Sequence, residues 1–262
     1  MPTDLTALSI TALCLAAFTA GWIDSVVGGG GVIQLPALLF GLPTTPVALL
    51  SGTNKLSSVA GTTSATVTYL HKVRVDLSVV GAAMATAFIG SMTGARMISL
   101  LPRVAFTPIV AVAVAIVGIY TWRKSELGAR TILRYDRPQL RLRAAIIGGA
   151  IGLWDGMIGP GTGIFLLVTF AALLGYGFLE ASTMTKLVNL TTNVAALIVL
   201  GVQGNVIWTL GAMMALCNLA GGFIGARTAI TYGNTFIRKV FLFTVIVVEA
   251  KLLYDTALLV FG

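Results

Sequence analysis

Two lysines stand inside apolar runs of this chain, and each heads a stripe of hydrogen-bonding side chains. Lys55, Ser58 and Thr62 fall at i, i+3 and i+7, and Lys186, Asn189 and Asn193 repeat that spacing, so each set shares one helical face. Both lysines follow short polar signals, Ser51-Gly52-Thr53 and Ser182-Thr183, and are expected in the first turn of a helix. A cation there opposes the helix dipole, and an ammonium at membrane depth is expensive. A bound anion relieves both costs. Thr53, Asn54, Thr63, Thr191 and Thr192 widen the polar zones. The alternative is that the lysines lay their stems along apolar surface and reach an interface with their amines.

Two glycine clusters precede these helices: Gly28-Gly29-Gly30-Gly31 and Gly159-Pro160-Gly161-Thr162-Gly163. Glycine reaches backbone conformations that aim successive N–H groups at one point. A helix starting just after adds the positive end of its dipole. The two clusters are therefore expected to cradle an anion. Gly90/Gly94 and Gly221/Gly225 have the spacing of close helix packing instead.

Carboxylates are the third element. Asp24 and Asp155 lie four residues before the clusters, at helix ends whose dipole disfavours them. They are expected to accept from the loop amides, to pair with Lys55 or Lys186, or to carry a proton. Glu249 is the other acid near the middle of an apolar segment, so Asp24, Asp155 and Glu249 are the proton-coupling candidates. Arg96 and Arg227 end long apolar helices, as caps. No Cys/His cluster has metal-ligand spacing. No phosphate-binding loop, nucleophile elbow or complete dinucleotide fingerprint occurs. No metal, cofactor or nucleic-acid partner is expected. Cys14 and Cys217 read as inert small apolar groups, and Trp22, Trp122, Trp154 and Trp208 as interfacial anchors.

Positioning these groups falls to membrane helices. Of 262 residues 57% are hydrophobic and 10% charged, and the mean hydropathy is +0.96. A soluble domain carries about 25% charged residues, so lipid must be the solvent. The net charge of +8 gathers in short segments between apolar runs. Those runs fall at 5–27, 32–50, 53–70, 77–100, 104–122, 143–158, 163–179, 183–202, 206–230 and 237–261. The first is read as a retained membrane segment rather than a cleaved signal. Val32–Phe40 and Ile164–Leu174 are too short to span comfortably and read as half-helices, or as re-entrant hairpins in an eight-crossing alternative.

The chain is duplicated. Asp155 lies 131 residues after Asp24, and the same ungapped offset pairs Gly28 with Gly159, Lys55-Leu56 with Lys186-Leu187, and Gly94-Ala95-Arg96 with Gly225-Ala226-Arg227. Apolar coincidences are cheap in such a chain; paired Asp, Lys and Arg are not. Basic residues set orientation. The Arg123–Arg143 segment and the His71-Lys72-Val73-Arg74 turn are expected on the cytoplasmic side. Val202-Gln203-Gly204-Asn205, equivalent to that turn, carries no charge and is expected outside, with both termini. The reading is an all-α integral membrane protein of two inverted-topology repeats, about five membrane segments each. Repeat 1 spans 1–122, a basic cytoplasmic linker 123–142, and repeat 2 spans 143–262.

Gly21-Trp-Ile-Asp24 with Gly28–Gly31, a Pro36-Ala-Leu-Leu segment and Ser51-Gly-Thr-Asn-Lys55-Leu56 resembles the first repeat of the TauE/SafE sulfite exporter family. Asp155 through Gly163, followed by Ala181-Ser-Thr-Met-Thr-Lys186-Leu-Val-Asn189, resembles its second repeat. The resemblance covers essentially the whole chain. It implies a bacterial inner-membrane permease for sulfite, organosulfonates such as sulfoacetate, or small carboxylates, coupled to the proton gradient. Pro160 and Thr162 replace Gly29 and Gly31 in the second repeat, which implies unequal contributions from the halves.

The function expected is a secondary transporter that exports a small anion bound between the repeats. The partners expected are that anion, the lipid bilayer and protons as coupling ion, and the reading leaves room for a homo-oligomer. A channel or importer for another anion is the alternative within transport. A membrane-embedded enzyme would need an acid/base constellation beside a nucleophile, and the sequence offers none. A purely structural subunit leaves the duplicated lysines and aspartates without a task.

Overall fold

A computed structural model describes residues 6–98, 115, 119, 121, 123 and 127–261, with side chains of the last helix given to residue 247 and at 250. Among the described residues every regular element is helical. The chain runs α1 (Ala7–Val27), α2 (Gly31–Gly41), α3 (Val47–Leu70), α4 (Leu77–Met97), α5 (Arg137–Met157), α6 (Thr162–Thr169, continued by a π turn over Phe170–Leu174), α7 (Phe178–Val202) and α8 (Trp208–Phe261). Among the described residues four stretches are long and apolar enough to cross a bilayer: Ala7–Val27, Leu77–Met97, Phe178–Val202 and Trp208–Val247. Most of the apolar run 104–122 and the Glu249 side chain lie outside the described residues.

Local chemistry places the helix ends. Thr6 and Asp76 cap α1 and α4 by accepting from the backbone N–H of Ser9 and Ser78. Asp136 does the same for α5 with Gln139, and Pro138 occupies its first turn. That cap starts α5 at Arg137, inside the stretch read as linker. The apolar run 32–50 divides, because α2 ends at Gly41 and α3 starts behind Pro46. The runs 206–230 and 237–261 join into α8, broken at Gly233 (φ 68°, ψ −160°).

The two halves interlock. α1 packs along α8, and α5 packs along α4, while α3 contacts both α7 and α8. Small residues make this possible. A Cβ added at Gly221 would meet the Phe18 carbonyl, and one at Gly225 the Trp22 carbonyl. The equivalent positions behave alike: a Cβ at Gly90 would meet Gly149 and one at Gly94 would meet Leu153. These four glycines let backbones touch, as their spacing implies. The short helices α2 and α6 sit in the middle, where Leu35, Leu38, Ile164, Leu166, Leu167 and Phe170 are buried in the core.

Candidate functional site

The glycine clusters fold as loops that end α1 and α5 and start α2 and α6. Gly28 (φ 85°), Gly159 (φ 89°) and Gly161 (φ 86°) adopt the left-handed conformation, which costs a residue with a Cβ about 1–2 kcal/mol. Gly28 and Gly163 also lie backbone to backbone, so a Cβ on either would collide with the other. The two loops therefore meet. Trp154, expected at an interface, instead donates from Nε1 to the Pro160 carbonyl at 3.0 Å and sets its ring edge-on to Phe165. It braces the second loop.

The lysines are not in a first turn. α3 begins at Val47 and α7 at Phe178, so Lys55 and Lys186 fall in the third turn of their helices. Helix dipole effects fade within one turn, so burial is the main cost of each cation. Both are paired, and the pairs cross between the halves. Lys55 Nζ lies 2.6 Å from Asp155 Oδ2, with side chains 6% and 2% exposed. Lys186 Nζ lies 3.3 Å from Asp24 Oδ2 and donates also to the Asp24 main-chain oxygen. The asparagines cross too: Asn193 Oδ1 accepts from Lys55 Nζ at 3.0 Å rather than from Lys186. Spacing along one helix puts Lys186 and Asn193 on a common face, but the partner is chosen by the helix opposite.

A cleft of about 300 Å³, mouth included, opens where these parts meet. Asp24, Gly28, Gly31, Asn54, Lys55, Ser58, Asp155, Gly159, Gly161, Thr162, Gly163, Asn189 and Asn193 line it. The first residues of α2 and α6 thus point their N-terminal ends at one space. Asn54 Oδ1 is buried with no hydrogen-bond partner, and turned about, that amide offers N–H groups. Other expected residues stand elsewhere. Thr53 Oγ1 donates to the Leu49 carbonyl and accepts from the Ile207 N–H at the start of α8. Thr62 Oγ1 donates to the Ser58 carbonyl at 2.6 Å. Gly29 packs beside the Ile164 side chain, and Gly30 N donates to Asp24 Oδ1 at 3.4 Å. Lys186 is fully buried behind the cleft. One pair escaped the reading by repeats. Asn218 Nδ2 donates to Gln34 Oε1 at 2.6 Å, and both residues are buried. Neither has a polar counterpart 131 residues away, so only their polarity within apolar runs marks them.

Residues 13–252 match the family described as Sulfite exporter TauE/SafE. Escherichia coli K12 has a relative, a probable membrane transporter protein YfcA, 34% identical over 95% of this chain and 91% of its own length. A probable membrane transporter protein of Haemophilus influenzae is 31% identical over 91% of this chain and 92% of its own. A third from Sinorhizobium, a probable membrane transporter protein ORF9, is 33% identical over 96% and 95%. No solved structure gives a significant match.

Proposed function

The chain belongs to the TauE/SafE sulfite exporter family and is a membrane transporter, and we propose that it is a secondary exporter of a small oxyanion, sulfite or an organosulfonate, across the bacterial inner membrane. One observation carries this reading. Two glycine loops, two helix N-termini and Lys55 converge on one cleft between the halves. Backbone N–H groups, amides and an ammonium are the donors a tetrahedral or pyramidal oxyanion needs. The bound anion sits where residues of both halves meet, which suits a carrier that opens to one side at a time.

Inverted-topology repeats of about five segments each belong to this reading. Their support is the order of contacts. Ala48 packs on the cluster of Ala95, Ile98, Ala196, Val199 and Leu200, whereas Lys55 reaches Asn193. Positions therefore rise along α3 as they fall along α7, its equivalent in the other half. Equivalent helices running in opposite directions are what an inverted repeat requires.

The test is flux into and out of proteoliposomes holding the purified chain, with labelled sulfite and a panel of other anions. Lys55→Met should slow sulfite flux at least about tenfold, since truncating one partner of a buried charge interaction costs about 2–5 kcal/mol. Sulfite flux no greater than through empty liposomes, with another solute carried instead, would overturn the substrate assignment.

A further inference from the structure

The two crossed ion pairs are equivalent by sequence and different in construction. Lys186 is enclosed, and its close tie is to the Asp24 main-chain oxygen near the end of α1. That tie does not depend on the charge of Asp24. The Asp24 carboxylate, for its part, accepts from Gly30 N, Lys186 Nζ and Asn189 Nδ2 at 3.3–3.5 Å. Lys55 and Asp155 meet side chain to side chain at 2.6 Å, and Lys55 is the one hydrogen-bond donor to Asp155 among the described residues. Lys55 lines the cleft and Lys186 does not.

The charges explain why this difference matters. The charged groups facing the cleft from the elements around α5 are Lys55 on α3 and Asp24 on α1, with Lys186 behind on α7. α4 and the glycine loops bring none to it. With all four groups ionised the charges cancel, and the cleft walls themselves hold one ammonium against two carboxylates. An anion entering that space meets an ammonium already paired at 2.6 Å, so Lys55 attracts it less than a free ammonium would.

We infer that Asp155 is a tethered stand-in for the substrate: it holds Lys55 while the cleft is empty, and yields Lys55 to the anion on taking up a proton. This rests on the oxyanion reading above and deepens it. The Asp155 carboxylate plus one proton becomes a carboxylic acid, and the monoanion takes its place on the Lys55 ammonium. No covalent bond to the substrate forms or breaks. The empty site and the site loaded with proton and monoanion carry the same charge, so each cycle moves the two together without net charge. Direction then follows the combined gradients of anion and proton, and a high internal anion concentration drives export. Asp24 and Lys186 hold the end of α1 against α7 and do not exchange.

The test uses the full chain in detergent, with methanesulfonate as probe because its own charge is constant between about pH 5 and pH 8. Wild-type affinity should fall as pH rises, and titration in buffers of different ionisation heat should count about one proton taken up per anion. Asp155→Asn should bind at the upper end of that range at least about tenfold more tightly than wild type, with no pH dependence. Asp24→Asn should keep the pH slope whatever its affinity. Binding by wild type without proton uptake overturns the inference, a measurement that needs no variant to fold, and leaves the oxyanion reading standing. Loss of the slope in Asp24→Asn with its retention in Asp155→Asn overturns it likewise. A wild-type chain that binds neither methanesulfonate nor sulfite overturns both.

Discussion

Replacing Lys55 by Met tests the crossed pairing most directly. The methionine fills much of the lysine stem's volume, so the change is chiefly electrostatic. It leaves Asp155, 2% exposed, without a donor to its carboxylate among the described residues. A buried charge stripped of its partner costs about 3–5 kcal/mol. Asp155→Asn alone strands the ammonium less severely, because Asn193 still accepts from Lys55 at 3.0 Å. In the double variant no charge is left to strand. It should recover much of the loss, giving a coupling of about 2–3 kcal/mol at the upper end of what touching residues show. Unfolding of the purified protein by sodium dodecyl sulfate in mixed micelles, followed by tryptophan fluorescence at neutral pH, measures all four corners of the cycle. Additive effects within about 0.5 kcal/mol would refute a coupled pair.

Three further outcomes are expected. Gly225→Val drives a side chain into Ser25 and Trp22 and should cost at least about 1–3 kcal/mol in the same assay, whereas Gly81→Ala, with nothing within 4 Å, should be neutral or stabilise by about 0.4–1 kcal/mol. Asp76 caps α4 with its carboxylate on the Ser78 hydroxyl and N–H, and that hydroxyl bond, first among its causes, holds its carboxyl below the ordinary value. Its stabilisation, about 1 kcal/mol for a cap, is full above the unfolded value of about 3.9 and disappears as pH falls through the lowered one; a pH series on Asp76→Ala should lack that component. Single cysteines at Lys72 and Gln203 should label from opposite sides of the membrane, and labelling from one side would dismiss the inverted repeat.

Some of this site was legible in the residues and some was not, for physical reasons. The glycine clusters and Lys55/Lys186 stood out because charges and glycine runs are rare in an apolar chain and here occur twice. Pairing of an aspartate with a lysine is one of three roles the sequence allows, beside accepting from the loop amides and carrying a proton. Which one it would choose did not follow. Asp24 to Lys186 and Asp155 to Lys55 are contacts of 162 and 100 residues' separation, and helical spacing reports only neighbours on one helix. Ser51-Gly52-Thr53 and Ser182-Thr183 resemble helix-starting signals and so suggest a first turn for the lysines, whereas the helices begin earlier, at Val47 and Phe178, and those polar residues lie inside them. Asp136 and Pro138 are visible signals for α5, yet the apolar run at 143 places its start six residues late, since α5 begins at Arg137; before α3 stands only Pro46.

Interlocking halves also constrain how the protein is made. α1 leaves the ribosome long before α8, and Asn218 is synthesised 184 residues after the Gln34 it bonds. Lys186 follows Asp24 by 162 residues, which at about 5–20 residues per second is on the order of ten seconds or more. Throughout that interval the first half holds a carboxylate whose neutralising cation does not yet exist, and a glycine-lined helix face with nothing to close on. Until then the Gly30 N–H is a partner that the Asp24 carboxylate has within its own half. A chain stopped at the linker lacks the second-half partners of Asp24 and Gln34 and is expected to be less stable than the whole protein. The same two halves made as separate polypeptides in one cell would complete each other.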